Sequence, residues 1–146
     1  MRSSVPGEFT IVSLYDSETE SFTQEFFLPD EGFISKQVRL AELKTQGYRV
    51  AGVLYVNRET FYNAKLACLV NEYIKEDHTK QDAIRENKYG NIDADALFII
   101  VQDCEDAKWR ILKSMTKLIR RMMRWGYDIE NEIALQLYDQ YMANTV

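Results

Sequence analysis

Aromatic and β-branched residues crowd two short runs near the start of the chain, "FTIVSLY" and "SFTQEFFL", which flank the polar "DSETE" between Glu8 and Leu28. That pattern predicts strand, turn, strand, closing as a hairpin. Pro29 to Gly32 interrupts it. In "ISKQVRLAELKTQ", Ile34, Val38 and Ala41 then recur at helical spacing, with Gly47 placed to terminate a helix of about three turns. "YRVAGVLYV", residues 48 to 56, is mostly apolar and reads as a strand buried on both faces.

Beyond residue 56 the pattern turns helical. Asn57 can cap a helix running to about Asp77, with Phe61, Ala64, Leu66, Cys68, Leu69, Tyr73 and Ile74 as its apolar surface. "HTKQDAIRENKYGN" is polar and ends in Gly90-Asn91, so it reads as a mobile, exposed short helix or loop. Leu97, Cys104, Ile111, Leu118 and Trp125 recur every seven residues without Gly or Pro between them, which favours one helix from Asp93 to Trp125. The competing reading makes Leu97 to Val101 a short strand and has Asp103 cap a later helix. Gly126 ends the long helix, Asp128 caps the next, and Ile129, Ile133, Leu137 and Tyr141 form its stripe.

The expected fold class is therefore α+β: a small N-terminal ββαβ sheet layer packed against C-terminal helices. It is expected as one domain over 1–146, with the sheet-containing part at about 8–56 and the helical part at about 57–146. With 46% hydrophobic and 28% charged residues, the composition is that of a globular chain, neither disordered nor fibrous. No apolar run reaches a membrane span or the core of a signal peptide, so the expected compartment is the cytoplasm. Cys68 and Cys104 lack partners at metal-ligand spacing and read as buried free thiols.

Charge changes the picture more than composition does. The net charge is −5, yet "KWRILKSMTKLIRRMMRW", residues 108 to 125, holds seven cations and no acid. Without those seven, the 18 basic residues fall to 11 against 23 acidic ones, leaving the remainder at −12. On a helix with Trp109 at zero, Arg110, Lys113, Lys117, Arg120, Arg121 and Arg124 fall between about 20° and 120°, one narrow face. Lys113/Lys117, Lys117/Arg120, Lys117/Arg121, Arg120/Arg124 and Arg121/Arg124 are like-charge neighbours at i,i+3 or i,i+4, which repel. A negative counterpart outside the helix is expected to compensate: phosphates, with DNA or RNA the leading ligand, or a carboxylate surface on this chain, such as the acidic hairpin, or on another.

The alternative uses the other pole. Asp16, Glu18, Glu20, Glu25, Asp30 and Glu31 make the N-terminal hairpin acidic, suited to a protein partner or an inhibitory contact, with the basic helix then serving self-association in a homo-oligomer. Both readings describe a small regulatory or accessory binding protein, not an enzyme, without metal, cofactor or membrane.

Catalytic candidates fall away on their chemistry. His78 is the sole histidine, within the polar "EDHTK", so no two-histidine metal site exists. Asn91, Asp93 and Asp95 begin a calcium-loop spacing, but Ala96 and Gln102 stand where Gly and Glu are required, so the acids read as a helix start. Pro29-Asp30 with Glu42-Leu43-Lys44 has the letters of the metal-dependent nuclease signature, but on a helix Glu42 and Lys44 point apart. Phe9, Phe22, Phe26 and Phe27 read as sheet core and not as stacking platforms.

Overall fold

The computed structural model describes residues 9–29 and 33–145. Strands β1 (Phe9–Asp16) and β2 (Ser21–Phe27), helix α1 (Phe33–Thr45) and strand β3 (Tyr48–Val56) precede helices α2 (Arg58–Lys88), α3 (Ala94–Arg124) and α4 (Glu132–Thr145). The fold is α+β, with the expected ββαβ order at its start. The chain divides into two compact units, Met1–Tyr62 and Asn63–Val146, so the boundary falls inside α2.

In the first unit the sheet order is β2-β1-β3, antiparallel throughout. Asp16 pairs with Ser21, leaving a four-residue turn whose last member, Glu20, takes φ 52°. One sheet face gathers Val12, Leu14 and Phe27 with Leu43 of α1, and Leu40 and Tyr48 pack against this cluster. The opposite face holds the rings of Phe9 and Phe26 against Phe61, at centroid separations of 4.7 and 5.4 Å. Phe61 is fully buried, so truncating it to Ala costs about 3–5 kcal/mol.

Two expectations fail here. The inner face of α1 is carried by Leu40 and Leu43, while Val38 is 53% exposed; the side chain of Ile34 lies outside the described residues. β3 is a strand but not a buried one, because it sits at the sheet edge with Val50, Val53, Leu54 and Tyr55 exposed. An apolar run reports what a segment can bury, not whether anything arrives to cover it.

The second unit is built on long helices, α2 and α3 having 31 residues each, or about 46 Å at 1.5 Å per residue. Asn57 caps α2 as expected, accepting from the Thr60 amide at 2.8 Å. The helix then runs past Asp77 to Lys88, through the segment expected as a mobile loop or short helix. Contacts to α3 hold it: Lys80 meets Glu105 at 2.7 Å, Lys108 meets Asp77 at 3.0 Å, and Ala83 is buried. Gly90, at φ 78°, ends α2 with Asn91 N–H donating to the Glu86 carbonyl, a Schellman closure.

α3 is the single long helix, not a strand followed by a helix. Asp93 caps it by accepting from the Ala96 amide at 2.7 Å. Gly126 at φ 75° closes it, with Tyr127 N–H donating to the Met122 carbonyl and Gly126 N–H to Met123. The cap of α4 is Asn131, which accepts from Ala134 N–H at 3.0 Å, and not Asp128. Buried Asn63 explains the shift: its amide donates to the Asp128 carbonyl at 3.0 Å and accepts from Glu130 N–H at 3.1 Å, holding 128–130 out of the helix. Ile129 consequently precedes α4, and Ala134, not the exposed Ile133, is its buried contact.

Candidate functional site

Ala94 to Arg124 contains no Gly and no Pro, so nothing in the backbone interrupts α3 along the charged stretch. Its buried residues, Cys104, Met115, Thr116, Leu118, Ile119 and Met122, occupy the arc from about 180° to 340° on the wheel that has Trp109 at zero. Arg110, Lys113, Lys117, Arg120, Arg121 and Arg124 are all exposed, on the arc opposite. From Arg110 to Arg124 the face is about 21 Å long.

The seventh cation behaves differently. The side chain of Lys108 is only 12% exposed and lies 3.0 Å from Asp77 and 3.6 Å from Glu105. Burial works against its charge, but the Asp77 hydrogen bond and the neighbouring Tyr73, Asp77 and Glu105 outweigh it and push its pKa up. The hydrogen bond from Lys80, opposed by burial and aided by Lys108, holds Glu105 below the usual carboxylate range. Lys108 thus belongs to the seam between α2 and α3.

None of the other six cations forms an ion pair with a carboxylate among the described residues. Lys117, Arg120, Arg121 and Arg124 line a shallow depression together with Met123. Arg120 leans toward α4, its Nη2 3.1 Å from the Met142 sulfur. Lys113 Nζ stands 5.5 Å from the centroid of the Trp109 ring, which is 5.1 Å from that of Tyr141. Trp109, 44% exposed, therefore forms an aromatic ledge at the margin of the basic face. The sequence reading missed it, although at zero degrees it adjoins Arg120 and Lys113 on the same wheel.

The acidic pole is less concentrated. Glu25 is engaged by Arg39 at 2.7 Å, and that hydrogen bond and charge raise the arginine's pKa. Asp16 accepts from the Glu18 amide at 3.0 Å and so organises the turn. Glu18 and Glu20 are exposed at the turn, whereas Asp30 and Glu31 lie outside the described residues.

His78 is exposed on α2, and Glu42 and Lys44 lie on α1, where Glu42 faces Arg39 at 3.5 Å. No three His, Cys, Asp or Glu side chains converge as a metal site among the described residues. No helix among them is long and apolar enough to cross a membrane. Cys104 is buried and Cys68 half-buried, and neither is in a disulfide among the described residues; burial, then Glu76 and Glu72 respectively, pushes both thiols up. The chain matches no protein family, no curated protein and no solved structure, so geometry alone carries the functional argument.

Proposed function

We propose that this protein binds nucleic acid, DNA or RNA, through the basic face of α3, as a small non-enzymatic regulatory or accessory protein of the cytoplasm. The supporting observation is the set of six exposed cations on one helix face with no carboxylate partner among the described residues. Local repulsion makes this arrangement costly in isolation, and a polyanion removes the cost. A face of about 21 Å spans roughly six phosphates of one strand at 3.4 Å per phosphate. Arg120, Arg121 and Arg124 are the strongest contacts, because a guanidinium fork binds phosphate bidentately. Trp109 adds a surface on which an unpaired base can stack.

The acidic-hairpin reading, with a protein partner and the basic helix used in self-association, has less in its favour, since Glu25 is already paired with Arg39. Charge reversal separates the two. Arg120→Glu with Arg121→Glu should abolish the rise in anisotropy of labelled oligonucleotides on binding, while Glu18→Lys with Glu20→Lys should not weaken it. With six phosphate contacts, duplex affinity falls roughly a thousandfold between about 50 and 200 mM salt. Absence of binding at low salt, or binding indifferent to salt, refutes the reading.

A further inference from the structure

We propose that the outer edge of β3 is a self-association site, at which Gly52–Val56 pairs antiparallel with the same segment of a second copy of this chain. β3 hydrogen-bonds to β1 alone among the described strands. Natural sheets blunt such edges with lysine, proline or a bulge. The bulge is here, but early: Ser13 faces Gly52 and Leu14 faces Val50, which makes Ala51 the extra residue. From Gly52 to Val56 the register with β1 is unbroken, and these five residues contain no charge and no proline. They offer about 17 Å of regular edge.

The segment is also apolar where it is most open. Val53 is 45% exposed, Leu54 57% and Tyr55 43%. By register with β1, Val53 and Tyr55 share the sheet face of Val12 and Thr10, and Leu54 that of Ile11. A side chain at Gly52 would meet nothing within 4 Å.

Symmetry sets the register of a second copy. A two-fold axis normal to a continuous sheet maps each face onto itself, so residues that oppose each other must differ by an even number. Centred on Leu54, that rule sets Leu54 against its own copy, Val53 against Tyr55 of the second copy, and Gly52 against Val56 of the second copy. Every cross-strand pair is apolar or glycine, so no like charges meet although each copy carries −5. A strand arm of this length covers less than the roughly 800 Å² per partner of a standard interface. The dimer is accordingly reversible, dissociating in the micromolar range or above. The proposal does not depend on nucleic-acid binding.

Sedimentation of the full chain from about 1 to 500 μM tests it. The weight-average mass should rise from 17.1 kDa toward twice that value. Leu54→Lys should weaken association at least about tenfold, with far-UV circular dichroism and unfolding midpoint unchanged, because the residue is exposed. Independently, Leu54→Cys should give a disulfide-linked dimer under mild oxidation, and Val50→Cys, which has no self-facing position in this register, should not. A wild-type monomer throughout, a dimer unaffected by Leu54→Lys, or a dimer lost on Arg121→Glu instead would overturn the proposal. So would cross-linking of both cysteine variants at equal rates.

Discussion

Lys117 sits at the centre of the unpaired cations, and replacing it with Gln should make the free protein more stable. It neighbours Lys113 and Arg121 at four residues and Arg120 at three, so one substitution removes three repulsive pairs. At about 0.2–0.5 kcal/mol per pair at low salt, the gain is about 0.6–1.5 kcal/mol, since Gln and Lys have near-equal helix propensity. Unfolding 146 residues involves about 0.3 kcal/mol/K of entropy, so each kcal/mol raises the midpoint by about 3 °C. Both tryptophans, Trp109 and Trp125, lie in the second unit, so their fluorescence during urea unfolding reports on the part that contains α3. At about 10 mM salt the Debye length is about 30 Å and the gain should be fully expressed; near 1 M it should vanish. Oligonucleotide affinity should move the opposite way, with the salt slope shallower by about 0.7–0.9. A destabilised variant, or one indifferent at low salt, would mean that a carboxylate already neutralises Lys117, and the proposed interface would go with it.

Thr116 is buried on α3 and its hydroxyl finds no hydrogen-bond partner among the described residues, so Thr116→Val, which keeps shape and branching, should stabilise by about 1 kcal/mol in the same assay. The α2–α3 seam should be sensitive to pH at both ends. Glu105, held low by Lys80, contributes stability that is present above its ordinary pKa of 4.5 and lost as pH falls through its depressed value. Lys108, raised above 10.5, contributes stability that is complete below that pH and lost as pH rises through its shifted value. Glu105→Gln should therefore flatten the acid limb of a stability–pH profile and reduce the alkaline limb without removing it, because the Asp77 hydrogen bond to Lys108 remains; an unchanged acid limb counts against the seam.

Most of the secondary structure was legible because it rests on local chemistry. The hairpin follows from two β-branched and aromatic runs around a polar turn, and α1 from its spacing and Gly47, whose φ is 98°. The basic face is the clearest case: a helix turns 100° per residue whatever surrounds it, so six cations within 110–124 land on one side once the segment is helical. The seven-residue apolar repeat, with no Gly or Pro from 94 to 124 to break it, favours the helix. What local rules could not reach was anything depending on a distant partner. α2 continues to Lys88 because Glu105 and Lys108, more than twenty residues further along, meet Lys80 and Asp77. α4 starts at Glu132 because Asn63 holds the Asp128 carbonyl and the Glu130 amide. Whether β3 lies at the centre of the sheet or at its rim is likewise a matter of strand order, which its composition does not encode. Hydrophobic periodicity reports which side a segment can bury; the neighbours brought in by folding settle whether it does.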